Sequence, residues 1–386
     1  MFKGNSKLKN IFLAGFLLSL QLALTAYINS SFLSSFVNEK LVGVVYALGS
    51  IASILALIFA PKIFDKIGGH KFLLSITLLN ILAILSLALS KNALITIPIF
   101  ILYFALNILI IFSLDELIEI FSKNSSTGKI RGLYLTVINS AWVIAQLFSG
   151  KILGGFPFPA IYLIALFIMI LFFLVSFFSL KGIPDPKYDK PQGLKDIKIF
   201  FQEKNLARAY KMSFLLQFFY SWMVIYTPIY LHAHLGFDWK EIGIIFAIML
   251  LPFVLLQFPL GRYSDKIGEK KMLFLGFVVT ALATFSLFFI KKHEIWVWAL
   301  ALFTTRVGAA TIEVMSDVYF FKHIKPENDE FVSIYRNASP VAYILGPLSA
   351  SILFIFLPSF NFIYLVLGSL MLYGVYLSST IKRSDI

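Results

Sequence analysis

The chain has 386 residues, of which 59% are hydrophobic and 14% charged, with a mean hydropathy of +0.86. Soluble domains carry about 25% charged residues, and a soluble fold of this length would have too few polar groups to cover its surface, so the composition excludes a water-soluble globule. The absence of cysteine excludes disulfides, thiolate metal sites and cysteine nucleophiles, and a net charge of +13 on so apolar a chain points to membrane topology and not to nucleic acid.

In chain order, Met1 to Asn10 is basic and polar, and the apolar run after it lacks a small-residue cleavage site. It reads as a retained first span and not a signal peptide. A helical span needs ~20 apolar residues. Runs of that kind fall at roughly 10–32, 41–60, 71–90, 93–121, 131–152 and 157–180, and again at roughly 209–232, 241–260, 272–290, 294–321, 331–354 and 359–381. The segment between the two sets, rich in Pro and Lys, reads as a linker. The expected organisation is a bundle over residues 1–180, a linker over 181–208 and a second bundle over 209–386. Long uninterrupted apolar runs argue against a transmembrane β-barrel, whose strands are short and alternating.

Lys and Arg set orientation. With a cytoplasmic N-terminus, 26 of the 33 basic residues fall inside and 6 outside, leaving Arg306 within a span. Both termini are therefore expected in the cytoplasm, with the protein in a plasma (inner) membrane.

Two segments repeat. Pro61 to Lys71 (PKIFDKIGGHK) lines up with Gly261 to Lys271 (GRYSDKIGEKK), each between the second and third spans of its half. The stretch from Tyr134 aligns more weakly with that from Tyr335. The fourth span ends with Asp115 and Glu119 and the tenth with Glu313 and Asp317, four residues apart in both cases. Recurrence in the same order indicates duplicated bundles.

On these residues the chain resembles the major facilitator superfamily, whose loop between spans 2 and 3 reads G-x-x-x-D-[R/K]-x-G-x-[R/K]-[R/K]. Gly261, Asp265, Lys266, Gly268, Lys270 and Lys271 fit it throughout; in the first copy Pro61 and His70 depart from it. Gly346-Pro347 in span 11 is similar to a Gly-Pro motif that the family carries in span 5, where this chain has Ala145-Gln146. The resemblance implies an all-α membrane protein of twelve helices in two pseudo-symmetric six-helix bundles. It also implies a secondary transporter working by alternating access, with spans 1, 4, 7 and 10 lining a central cavity. A non-transporting polytopic protein, either intramembrane enzyme or scaffold, is the alternative. No cluster of catalytic residues at one depth favours the enzyme, and no phosphate-binding loop or metal motif is present, so no cofactor is expected.

The loops have a physical reading as a cytoplasmic gate. Asp65 and Asp265 suit helix N-termini, capping spans 11 and 5 respectively. Gly68 and Gly268 suit tight turns, the Lys residues that follow them suit anionic head groups, and Lys66 and Lys266 are expected near the acidic residues at the span ends. Asp115, Glu119, Arg131, Glu313, Asp317 and Arg336 then form an inside charge network; the bland reading is a basic loop that only sets topology. One of these carboxylates is a candidate proton site, with protons as the coupling ion.

Ionisable groups within a span are functional candidates, and Arg306 stands near the middle of span 10. It leans away from Glu313, which lies two turns on, so a direct pair is marginal. It is a candidate for holding an anionic or polar group of a small-molecule substrate; the structural alternative is an Arg bonded to backbone carbonyls. Gln21, Thr25 and Asn29 on span 1, Tyr103 and Asn107 on span 4, and Gln217, Tyr220 and Tyr226 on span 7 are the uncharged candidates around it, with interhelical hydrogen bonding as their alternative. The protein is expected to act as a monomer in the lipid bilayer. His232 and His234, two residues apart on a helix end, face different directions and are not expected to bind metal.

Overall fold

The computed structural model describes residues 6–122, 127–182, 194–256, 259–260, 268–324 and 330–381, with Asp65, Glu119 and Arg131 described by backbone alone. Every regular element among them is helical: α1 (Ser6–Ala26), α2 (Asn29–Ser34), a short 3-10 turn (Glu39–Leu41), α3 (Val42–Ile67), α4 (Gly69–Leu89), α5 (Ala93–Ser122), α6 (Thr127–Leu153) and α7 (Phe158–Ser179). There follow α8 (Leu194–Gln202), α9 (Lys204–Ile229) with a π turn at Tyr230–His234, α10 (Trp239–Leu255), α11 (Glu269–Phe289), α12 (Ile295–His323), α13 (Glu330–Arg336), α14 (Ala338–Leu353) and α15 (Phe362–Ser379). Nine of the described helices are long and apolar enough to cross a membrane. The three other expected spans coincide with α6, α10 and the α13–α14 pair, which are more polar or shorter.

The chain divides into two compact units, residues 1–188 with 238–243, and residues 189–237 with 244–386. Within the first, α1 packs on α6, α7 and α5, and α4 packs on α5 and α7. Within the second, α9 packs on α14, α15 and α12, and α11 packs on α12 and α15. Span for span, these are the same neighbours. The loop repeat carries through to the backbone: Gly68 has φ 83°, ψ 147° and Gly268 has φ 83°, ψ 144°. That region is almost closed to side-chain-bearing residues, which is why glycine stands at both positions.

A second repeated device ties each unit together at the end of its last helix. Lys7, in the first turn of α1, donates to Gly182 O at 2.8 Å, and His70, in the first turn of α4, donates from Nε2 to Ser176 O at 2.9 Å. In the other unit Arg208, near the start of α9, donates to Thr380 O at 3.3 Å, and Lys270, in the first turn of α11, donates to Ile381 O. A helix C-terminus leaves carbonyls without intrahelical donors and carries partial negative charge. Donors from the first and third spans meet these carbonyls, and Lys7, Arg208 and Lys270 also bring positive charge.

Three expectations shift. Span 1 is not continuous: the helix breaks at Tyr27–Ile28, where Ile28 N bonds Thr25 O at 2.9 Å, before α2 begins. Span 11 breaks at Asn337 because Pro340, three residues into α14, has no N–H for Arg336 O. The segment expected as linker contains α8, whose Phe200 is buried against Phe331 at a ring separation of 5.5 Å. It also contains the first turn of α9, which begins at Lys204, ahead of the expected residue 209.

Replacing Gly268 by Ala is expected to cost about 1–3 kcal/mol through backbone strain alone, since nothing lies within 4 Å of an added Cβ. Lys270→Ala is expected to cost about 1 kcal/mol. Both should lower the thermal unfolding temperature of the purified protein in detergent, and an unchanged value for Lys270→Ala would remove the helix-end clamp as a stabilising contact.

Candidate functional site

The interior polar groups of the first unit centre on Tyr103 of α5, which is 1% exposed. Gln21 Nε2 donates to its hydroxyl at 2.9 Å, and Thr25 Oγ1 lies 2.9 Å from the same oxygen. Gln21 and Thr25, one turn apart on α1, therefore meet one acceptor on a facing helix. Asn107, a turn beyond Tyr103, accepts from Asn80 Nδ2 of α4 at 2.9 Å. Asn29 lies past the break in span 1 and accepts from the Tyr162 hydroxyl of α7 at 2.8 Å. Gln21, Thr25, Tyr103, Asn107 and Asn29 are thus all buried and all hydrogen-bonded across helices. Asn80 and Tyr162 escaped the sequence reading. Each carried a signal, being the lone amide of α4 and the lone tyrosine of α7, and a lone polar side chain in an apolar span normally finds an interhelical partner.

The second unit holds charge. Arg306 of α12 is 1% exposed. Its guanidinium carbon lies 5.2 Å from the Phe219 ring centroid and 5.4 Å from that of Tyr220, both on α9. Cation–π contact of this kind suits a cation taken out of water. Nη1 is buried with no hydrogen-bond partner among the described residues. The Tyr220 hydroxyl donates to Glu313 Oε2 at 3.0 Å. Tyr220 therefore presents its face to a cation and its hydroxyl to a carboxylate, joining Arg306 to Glu313 where no direct ion pair is described. That link was missed because spacing along α12 relates Arg306 and Glu313 only to each other.

The remaining span 7 candidates sit elsewhere in the unit. Gln217 Oε1 accepts from Ser339 Oγ at 3.1 Å, and the Tyr226 hydroxyl donates to Pro347 O at 3.1 Å. Trp222 Nε1 donates to Gly346 O at 2.7 Å, so α9 supplies donors to both carbonyls of the Gly-Pro step in α14.

The expected charge network is divided by the structure. Glu313 joins the Arg306 centre. Asp317 instead lies 3.6 Å from Arg336 and accepts from the Tyr335 hydroxyl at 2.9 Å. Asp115 of α5 and Lys66 in the last turn of α3 are exposed. Asp65, Glu119 and Arg131 lie on α3, α5 and α6 with their side chains outside the description, and Gly261, Asp265 and Lys266 lie outside the described residues. Among the described residues no group of His, Asp and Glu could hold a metal ion. The His232 and His293 rings bond backbone carbonyls, Phe237 O at 2.9 Å and Leu235 O at 3.2 Å.

The sequence profile of the Major Facilitator Superfamily matches residues 11–250 and 212–383. The chain belongs to this superfamily. Among solved structures it is similar to the nucleoside transporter NupG, at 13% identity with a TM-score of 0.79 over 97% of this chain and 99% of that one. It is also similar to a D-xylose-proton symporter, at 14% identity and 0.78 over 98% of each chain. A bacterial homologue of the human lysosomal transporter Spinster, in an inward-facing and unoccupied conformation, gives 13% and 0.66 over 96% and 92%. At such identities the likeness shows the fold. No curated protein matches the chain.

The protein is a multi-pass membrane protein and a secondary transporter, and it is not an enzyme. In a transporter of this superfamily the two interiors offer different chemistry: a neutral hydrogen-bonded set in the first unit and a guanidinium–tyrosine–carboxylate set in the second. Tyr103→Phe is expected to leave Gln21 and Thr25 without a shared partner, at about 1–3 kcal/mol for the buried amide. The measurement is thermal unfolding of the variant, with Phe104→Leu beside it as a control for loss of aromatic volume alone.

Proposed function

We propose that this transporter moves a small polar solute across the plasma (inner) membrane by alternating access, as a monomer with both termini in the cytoplasm. Arg306 is its chief solute contact. The single observation that carries this reading is Nη1 of Arg306, buried and without a hydrogen-bond partner among the described residues. Buried donors are almost always hydrogen-bonded, and a charged one left bare is costly, so a binding partner from outside the chain completes the site. Gln21, Thr25, Asn29, Tyr103, Asn107, Gln217, Tyr220 and Tyr226 belong to the same reading as neutral polar contributors. The described neighbours that carry a nucleoside and D-xylose with a proton support a polar organic solute and protons as the coupling ion. The two bundles, 1–180 and 209–386, lie in the lipid bilayer, with 181–208, which holds α8 and the first turn of α9, between them.

The gate is assigned to the two repeated loops, Asp65, Lys66 and Gly68 in one and Gly261, Asp265, Lys266 and Gly268 in the other. Asp115, Glu119, Arg131, Asp317 and Arg336 act beside them, and Glu313 serves the solute centre. The matching backbone at Gly68 and Gly268 supports two equivalent turns.

The chain contains no cysteine, so single cysteines introduced into it report without background. Placed towards the cytoplasmic and outer ends of α5 and α12, they should show solute-dependent labelling that rises on one side as it falls on the other. Arg306→Gln should abolish the solute-dependent change while leaving labelling without solute in place. Labelling indifferent to every solute in a metabolite panel, on both sides, would refute alternating access at this centre.

A further inference from the structure

The Arg306 centre also carries an argument about which solute it takes and what travels with it; this inference rests on Arg306 being the solute contact. Apart from Lys322, which pairs with Glu269 of α11, four formal charges sit on and beside α12: Arg306, Glu313 and Asp317 on the helix and Arg336 on α13. Asp317 and Arg336 face each other at 3.6 Å, and Arg306 and Glu313 are joined through Tyr220. The set is neutral when both carboxylates are ionised. Of the charges on the helices packed against α12, Arg208 of α9 bonds Asn205, Tyr319 and Thr380 O, and Glu269 of α11 pairs with Lys322. Tyr220 is the ionisable group that α9 turns to Glu313, whose electrostatic neighbours are Tyr220, Asp317, Arg336 and Arg306. Between Met272 and Phe289 α11 has no ionisable side chain, and α14 has only Tyr343.

An anion that takes Arg306 Nη1 adds one negative charge to this neutral set, at a guanidinium that is 1% exposed. In a low-dielectric interior an uncompensated charge is expensive, and the nearest titratable group neutralises in preference. Glu313 is that group, because Tyr220 couples it to the cation the anion has just engaged, while Asp317 keeps Arg336. One proton from solvent onto Glu313 restores neutrality. A doubly charged phosphate would need two protons or a second cation, and one unpartnered guanidinium nitrogen between two aromatic rings fits a single carboxylate on an apolar body.

We propose that the solute is a small monocarboxylate and that it is carried with one proton held on Glu313, so that the transport step is electroneutral. The balance is simple: the carboxylate oxygen accepts from Arg306 Nη1, a solvent proton bonds to Glu313 Oε, and both leave together on the opposite face.

Calorimetry on the full-length protein in nanodiscs tests this, with benzoate, nicotinate, lactate and pyruvate as probes and their neutral amides beside them. Repeating each titration in buffers of different ionisation enthalpy counts protons. At least one carboxylate should bind with uptake of about one proton, and its Kd should weaken about tenfold per pH unit where free Glu313 is ionised. Glu313→Gln should remove the proton uptake and flatten the pH dependence. Arg306→Gln should weaken carboxylate binding at least about tenfold, and Arg306→Lys, which keeps the charge, should recover part of it.

Amides binding as well as acids would overturn the monocarboxylate assignment. Carboxylate binding without proton uptake, or uptake that persists in Glu313→Gln, would overturn the coupling. If none of the four carboxylates binds, the proposal is wrong as a whole. Each of these failures leaves solute-dependent cysteine labelling intact, whereas loss of that labelling refutes the underlying transport reading at Arg306.

Discussion

A basic side chain donating to the last carbonyls of a helix is the contact on which each unit of this transporter depends. A helix C-terminus carries partial negative charge and carbonyls short of intrahelical donors, so a basic side chain placed there is favourable. The final helix of each unit has no following span in that unit to cover its end. Lys7 and His70 do so for α7, and Arg208 and Lys270 for α15. These side chains hold the first, third and last spans of a unit together, and Lys7, Arg208 and Lys270 are also among the basic residues whose placement carries the expected topology.

The duplication is conserved in backbone and divergent in chemistry. Both loops keep the glycine at φ 83°. One position later Gly69 in the first unit corresponds to Glu269 in the second. Glu269 is 1% exposed and pairs with Lys322 at the end of α12. Two positions later His70 and Lys270 perform the same contact with different groups. A scaffold contact defined by a backbone carbonyl asks only for a donor of the right reach, so either side chain satisfies it. The Gly-Pro step of α14 shows the complementary case: its carbonyls are held by Trp222 and Tyr226 of α9, whereas at the corresponding place in α6 Gln146 reaches Ala23 O of α1 at 2.9 Å. In each unit the first and fifth spans are joined by a side-chain donor on a main-chain acceptor, but the direction of the bond is reversed.

Spans, the two-unit plan and the superfamily were legible in the sequence because each rests on local composition repeated over long stretches: apolar runs, basic loops and the doubled Asp-Lys-Ile-Gly segment. What was not legible depends on contacts between helices. The break at Tyr27–Ile28 has no proline or glycine to announce it. The start of α9 at Lys204 follows from Arg208 finding Asn205 and Tyr319, and the burial of Phe200 follows from partners more than a hundred residues away. For the site, one helix at a time identified Arg306, Tyr220 and Glu313 as candidates. Their grouping needed α9 and α12 together, because a residue's role in a bundle is set by what the facing helix presents and not by its own spacing.

The division of chemistry between the units follows from the cost of burying charge. Among the described residues the buried charged groups are Glu269 and Arg306, both in the second unit. Glu269 is neutralised by an ion pair. Arg306 is offset by two aromatic faces and, through Tyr220, by a carboxylate held at a distance. The first unit buries amides and hydroxyls instead, and Tyr103 alone satisfies two residues of α1. Neutral groups can remain paired with one another whatever is bound, so they define shape and hydrogen bonding without drawing ions. A guanidinium with an open nitrogen is energetically incomplete by itself. On the proposed reading, that incompleteness makes one half of a symmetric fold responsive to solute charge while the other half stays indifferent to it.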